Sequence, residues 1–153
     1  MSIYSGERYQ IANYGIGGQY GLHHDAHQFH QDSIYKDPPK HLNNVFNQAR
    51  GDRIATFMAY LSDVKVGGKT VFPVLGVAST PIEGDAIFWI NTKSSGKLDK
   101  WTLHAGCPVL FGSKWITNKW IRYYDQFKNF YCHVDEKIDS FLAFKRYRQQ
   151  NLA

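Results

Sequence analysis

The sequence predicts an antiparallel all-β domain. Short runs rich in aromatic and β-branched residues recur along the first 125 positions, and Gly, Pro and Asp separate them. The composition supplies a core to match, with 43% hydrophobic and 16% aromatic residues.

Arg8 to Tyr14 is the first predicted strand, and the Gly15, Gly17 and Gly18 turn leads into Gln19 to Asp25. Ile54 to Leu61 is the third. Val66-Gly67-Gly68-Lys69 reads as the turn that enters Thr70 to Pro73. Glu83-Gly84-Asp85 forms the turn before Ala86 to Asn91, a largely buried strand, and Thr102 to His104, Pro108 to Phe111 and Asn118 to Tyr123 complete the set. Between Ala26 and Asp52 the pattern gives way to polar residues, a Pro38-Pro39 pair and His27, His30 and His41. This predicts a long loop insertion, a lid or surface segment, carrying a short helix over Lys40 to Gln48. After Glu136, Ile138, Phe141, Leu142 and Lys145 fall at helical spacing and predict a short amphipathic C-terminal helix.

A length of 153 residues suits one domain that buries roughly two thirds of its unfolded surface. The 18 Lys and Arg exceed the 13 Asp and Glu, for a net charge of +5, but they are dispersed. The one dense cluster is Lys145, Arg146 and Arg148, so a solvated basic face is expected rather than a nucleic-acid surface. No apolar stretch approaches the roughly 20 residues that span a bilayer, and Met1 to Gly6 lacks the apolar run of a signal peptide. Cys107 and Cys132 flank 24 residues. A bridge between them would stabilise the fold by about 3 to 4 kcal/mol, yet spacing alone leaves a disulfide and two buried free thiols equally open.

The chemistry concentrates in His23-His24-Asp25, His104 and Lys114. Side chains two apart in a strand point to one side, so His23 and Asp25 converge while His24 faces away. Two imidazoles and one carboxylate suit non-heme Fe(II), because three ligands on one face leave the opposite positions open. An H-x-D tripeptide is nonetheless common, and His24, His27 and His30 read as surface histidines.

The residues around this triplet resemble a known family. Asn13-Tyr14-Gly15, Gly18-Gln19-Tyr20, His23 and Asp25, then Arg53-Ile54-Ala55-Thr56, Tyr60 to Asp63, Gly67-Gly68 and Thr70-Val71-Phe72-Pro73 look like the catalytic domain of the collagen prolyl 4-hydroxylase α subunit. The likeness continues through Phe88-Trp89, His104-Ala105, Cys107-Pro108-Val109-Leu110, Lys114-Trp115 and Asn118-Lys119-Trp120, so it covers roughly Arg8 to Cys132. It implies a double-stranded β-helix, or jelly-roll, with a catalytic domain over residues 1–132 and a C-terminal extension over 133–153. In the relatives, a further part of the catalytic domain, a peptide-binding domain and a dimerisation region precede the position of Arg8.

The resemblance also implies the roles. His23, Asp25 and His104 would hold Fe(II), Lys114 would anchor the distal carboxylate of 2-oxoglutarate, and Tyr14 would add a phenolic hydrogen bond to it. Tyr20, Arg53 and Trp120 match positions near the bound peptide, and aromatic faces suit polyproline II chains. Cys107 and Cys132 match family cysteines that pair in an oxidising compartment, which implies the lumen of the endoplasmic reticulum. The implied activity is hydroxylation of peptidyl proline in collagen-like or proline-rich chains, with release of succinate and CO2 and with L-ascorbate rescuing oxidised iron. The implied partner is a protein disulfide-isomerase subunit.

Two other readings stay open in the sequence. A non-catalytic jelly-roll module would bind proline-rich peptides or partner subunits, and a zinc hydrolase would use the same ligands with an activated water. The second leaves Tyr14 and Lys114 without a task. The chain also departs from the family pattern: Val74 stands where an acidic residue is usual after Phe72-Pro73, and the loop from Ala26 to Asp52 differs in length and composition.

Overall fold

The computed structural model describes residues 6–26, 51–124 and 126. The predicted helices at Lys40 to Gln48 and after Glu136, and most of the predicted loop insertion, lie outside them. The strands are β1 (Gln10–Tyr14), β2 (Tyr20–His23), β3 (Arg53–Tyr60), β4 (Val66–Gly67), β5 (Thr70–Phe72), β6 (Val77–Ser79), β7 (Ala86–Ile90), β8 (His104–Gly106), β9 (Val109–Phe111) and β10 (Lys114–Arg122).

They form two four-stranded antiparallel sheets, ordered β1-β10-β3-β7 and β2-β8-β5-β6, plus a two-stranded ribbon of β4 and β9. Successive strands cross between the sheets, β1 in the first, β2 in the second, β3 in the first again, which is the winding of a jelly-roll. The expected all-β class and its double-stranded β-helix are what the structure has. Among the described residues no helix is long and apolar enough to cross a membrane.

The core lies between the sheets because strand alternation aims one set of side chains inward. Thr56, Met58 and Tyr60 of β3 are buried while Phe57 between them is exposed. Met58, Tyr60, Trp89 and Ile116 from the first sheet meet Phe72 from the second. Phe72 and Trp89 make an edge-to-face pair with centroids 5.3 Å apart, a geometry favoured by the ring quadrupoles.

Four local differences from the predicted elements have physical causes. The Val66–Gly67 segment, read as part of a turn, pairs with β9 before the chain turns into β5. Gly67 makes that approach feasible, since it has φ of 82° and a Cβ there would lie 2.3 Å from the Pro108 carbonyl oxygen. Thr102 belongs to a 3-10 turn over Lys100–Thr102, capped by the Asp99 side chain accepting from the Trp101 N–H, so β8 begins at His104. The short β6, absent from the predicted set, pairs with β5 through a turn in which the Gly76 N–H donates to the Pro73 carbonyl. Strand β10 starts at Lys114 rather than Asn118, because the polar Lys114, Thr117 and Asn118 interrupt the apolar pattern.

Candidate metal centre and its pocket

His23 and His104 are cross-strand partners in the β2–β8 ladder, which places both imidazoles on one face of the second sheet. Their rings lie 4.2 Å apart between centroids, and Trp89 and Phe72 pack on His104 at 4.9 and 5.4 Å. Each Nδ1 lies 2.8 Å from a backbone carbonyl two residues earlier, His23 to Gly21 and His104 to Thr102. A carbonyl only accepts, so each Nδ1 carries the proton and each Nε2 presents its lone pair. Burial pushes the His104 pKa below its usual value, outweighing the opposing pull of the Thr102 carbonyl and Asp25, and keeps the ring neutral at physiological pH.

Asp25 follows the end of β2 rather than lying within it, and it is buried. Its Oδ1 is 3.8 Å from His23 Nε2 and its Oδ2 is 3.8 Å from His104 Nε2. Two lone pairs and a carboxylate therefore face one another, an arrangement of acceptors suited to a cation. All three donor atoms lie within 4.8 Å of one another. An ion with bonds of about 2.1 Å needs neighbouring donors roughly 3 Å apart, so the site closes with movements of under about 1 Å. The residues present fit a divalent metal.

Behind the carboxylate stands a hydrogen-bond chain that the sequence did not single out. The Thr56 hydroxyl donates to Asp25 Oδ2 at 2.6 Å, and the Asn91 amide donates to the Thr56 hydroxyl at 3.0 Å. Both residues are essentially inaccessible to solvent.

The three ligands line a cleft of roughly 420 Å³ that continues past Tyr14 to Lys114. Lys114 is 3% exposed, and its Nζ donates to Thr70 Oγ1 at 3.1 Å. Tyr60 also donates to Thr70 Oγ1, at 3.0 Å. No carboxylate pairs with Lys114 among the described residues, and burial lowers its pKa to about 8. A buried ammonium without a counter-ion is a site for an anion, and the bound anion would restore the charge. Phe111 and Trp115, its aromatic neighbours in the sequence, are both more than 40% exposed. Alternation along β10 aims Trp115 away from the cleft, and the burial of Lys114 comes from its own inward position. Tyr14 lies directly across the ladder from Lys114, with its ring centroid 6.0 Å from Nζ.

At the mouth, the Arg53 guanidinium stacks 3.7 Å over the Trp120 ring. Arg53 Nε and Nη2 both donate to Glu7, at 2.7 and 3.0 Å, and Arg122 Nε donates to the same carboxylate at 2.8 Å. Glu7 lies one residue upstream of the block that carries the resemblance, and nothing in its local sequence marks it. Tyr20 lines the same cleft and packs edge-on against His23. The Trp120 indole N–H is buried with no hydrogen-bond partner among the described residues.

Two predicted assignments change or fall outside view. His24, expected to face solvent, is half-buried beside the ligands, and its Nδ1 has no partner among the described residues. The strand ends at His23, so the alternation rule does not carry to the next position. Cys107 is a partly exposed thiol on the cleft wall, and Cys132, its expected partner, lies outside the described residues, as do His27, His30 and His41.

Residues 9–122 match the model of the 2OG-Fe(II) oxygenase superfamily. The human prolyl 4-hydroxylase subunit alpha-1 is 44% identical over 121 residues, which is 79% of this chain and 21% of that protein. The subunit alpha-2 of Gallus gallus is 45% identical over 120 residues, 78% of this chain and 20% of that protein. The chain thus spans about a fifth of the length of these relatives. Among solved structures, the viral collagen prolyl hydroxylase of Paramecium Bursaria Chlorella virus-1, in its 2OG complex, superposes with a TM-score of 0.61 at 35% identity, over 76% of this chain and 59% of that one.

Proposed function

The chain belongs to the 2OG-Fe(II) oxygenase superfamily, and from that premise we propose that it is a prolyl 4-hydroxylase acting on peptidyl proline in collagen-like or proline-rich chains. The observation that carries the reading is the single cleft that holds both the His23, Asp25 and His104 donors and the buried, carboxylate-free Lys114. Fe(II) would be held by those three donors and would supply the redox chemistry that couples oxidative decarboxylation of 2-oxoglutarate to hydroxylation at C4 of proline.

The chain's own residues do the rest. Lys114 pairs with the distal carboxylate of 2-oxoglutarate, and the neighbouring Thr70 hydroxyl and Tyr14 phenol contribute further hydrogen-bonding groups. Carbonyl partners at both Nδ1 atoms fix the tautomer and orient the rings, with Nε2 toward the metal. Phe72 and Trp89 exclude water from the His104 side of the centre. Tyr20, Trp120 and Arg53 present aromatic faces and a guanidinium to the peptide, and the unpartnered Trp120 N–H is free to donate to a backbone carbonyl.

The finer parts of the reading rest on the sequence resemblance. They are ascorbate as the reductant, a Cys107–Cys132 disulfide, residence in the endoplasmic reticulum lumen and a protein disulfide-isomerase partner. The non-catalytic alternative has no use for a buried lysine without a counter-ion, and the zinc hydrolase has none for Lys114 facing Tyr14 across β10.

The test is succinate release from 2-oxoglutarate in the presence of a proline-rich, collagen-like peptide. Peptide-dependent release that disappears in His104→Ala and Lys114→Ala is the expected result. Release indifferent to the peptide, or unchanged in those variants, would overturn the proposal.

A further inference from the structure

We propose that Thr56 and Asn91 are positioning residues for the carboxylate ligand, a directional relay that engages one oxygen of Asp25 by a hydrogen bond and leaves its twin free for the metal. The inference rests on the metal-site reading above and deepens it. The Asp25 carboxylate only accepts, so the single Thr56 hydroxyl proton goes to it and the hydroxyl oxygen is left to accept from the Asn91 Nδ2 group. The direction of both bonds is thereby set by chemistry alone.

The surroundings leave these groups little choice. Asp25 is 6% exposed, Thr56 0% and Asn91 1%. Thr56 sits in the centre of the first sheet, paired with Trp120 of β10 on one side and Trp89 of β7 on the other. Asn91 follows β7 and is tied at its own backbone, its N–H donating to Ile54 O and its carbonyl accepting from the Asp99 N–H. The relay is therefore anchored on β3 of the first sheet and on the residue that follows β7.

Its consequence follows from the two oxygens of Asp25. Both lie 3.8 Å from a ligand nitrogen, Oδ1 from His23 Nε2 and Oδ2 from His104 Nε2, but Oδ2 alone also takes the short bond from Thr56. An oxygen engaged at 2.6 Å by a hydroxyl is a poorer metal donor than its free twin, so the relay favours a carboxylate bound through one oxygen. A carboxylate gripping through both would consume one of the open positions that this ligand set exists to leave. Hydrogen-bond partners of this kind typically change metal affinity by about 10- to 100-fold.

The experiment titrates the full chain with Co(II) alone, reading affinity by calorimetry and coordination by the visible d–d spectrum. Thr56→Val, which keeps the shape and removes the hydroxyl, is expected to weaken Co(II) by about 10- to 100-fold and to change the spectrum. Thr56→Ser, which restores the donor, should return affinity to within about threefold of wild type, and Asn91→Ala should fall between the two. If Thr56→Val does not fold, the Asn91→Ala variant carries the test by the same criterion of weakened binding. Wild-type affinity and spectrum in a folded Thr56→Val, or equal loss in Thr56→Ser, would overturn the inference while leaving the metal site standing. A wild-type chain that takes up no Co(II) would overturn the metal site itself, and the relay with it.

Discussion

Lys114 faces Tyr14 directly across the β1–β10 ladder, and both side chains enter the cleft from the same face of the first sheet. The pairing gives the pocket an ammonium and a phenol side by side, with the Thr70 hydroxyl on the other flank of the ammonium. Burial raises the Tyr14 pKa, so the phenol stays protonated and able to donate.

In the proposed site, the Lys114 ammonium would set a pH limit for the co-substrate. Its pKa of about 8 in the unliganded protein, lowered by burial, lies below the ordinary 10.5. Affinity for 2-oxoglutarate is therefore full below pH 8 and falls as pH rises above it, by about tenfold per unit. The unliganded fold behaves in the opposite sense: it favours neutral lysine, so its stability increases as pH climbs from about 8 toward 10.5. Lys114→Met should stabilise the unliganded chain at pH 7 by about 1–3 kcal/mol while abolishing co-substrate binding. Thermal melts with and without 2-oxoglutarate, run across pH 6 to 10 for both proteins, measure both effects.

Metal binding responds to acid instead. A histidine ligand must be neutral to bind, and burial holds the His104 pKa below 6.5. Metal affinity should be level above about pH 6.5 and weaken below it as His104 protonates. The fold follows the same sense, because a pKa lowered on folding gives stability that is present above the unfolded value and lost as pH falls through the folded one. Replacing His23, Asp25 or His104 by Ala should weaken Co(II) by more than about 100-fold, beyond the range of an outer partner. Calorimetric titrations at pH 5.5 to 8 provide the check.

Glu7 holds the mouth of the cleft together. Burial pushes its pKa up, but the hydrogen bonds and charges of Arg53 and Arg122 outweigh burial and leave it below the ordinary value of 4.5. Its stabilising contribution is present above that value and lost as pH falls through the folded pKa. Glu7→Gln should destabilise the chain by about 1–3 kcal/mol and release Arg53 from its stack on Trp120. A larger KM for peptide with a nearly constant KM for 2-oxoglutarate is the kinetic outcome expected.

Trp120 offers a narrower test of peptide contact. Trp120→Phe keeps an aromatic face under Arg53 and removes the unpartnered N–H. If that N–H meets a substrate carbonyl, KM for peptide rises by about 5- to 10-fold, the value of one hydrogen bond, and metal and co-substrate affinities stay as they were. Unchanged peptide kinetics would remove Trp120 N–H from the peptide site.

Local pattern made most of the strands legible, because alternation and turn residues act over a few positions. The convergence of His23 with Asp25 was read as an i, i+2 strand pair, although the strand ends at His23 and Asp25 reaches the site from just beyond it. Their union with His104, 79 positions beyond Asp25, depends on the β2–β8 ladder, which no local spacing encodes, and it came from the resemblance. Thr56, Asn91, Thr70 and Glu7 were passed over because each is an ordinary strand, turn or surface residue until the fold supplies its partner. The start of β10 was missed because a lysine stands where the strand pattern calls for an apolar residue. Lys114 occupies an inward position that burial alone would give to an apolar residue.

The central claim is that one cleft holds a ferrous ion and a keto acid together. Anaerobic addition of Fe(II) and then 2-oxoglutarate to the full chain tests it most directly, read as the visible metal-to-ligand charge-transfer band that arises only when both share a site. The account predicts a band that saturates at one equivalent of iron and is absent in His104→Ala and Lys114→Met. A chain that binds both components yet develops no band, or one whose band survives in either variant, would contradict it.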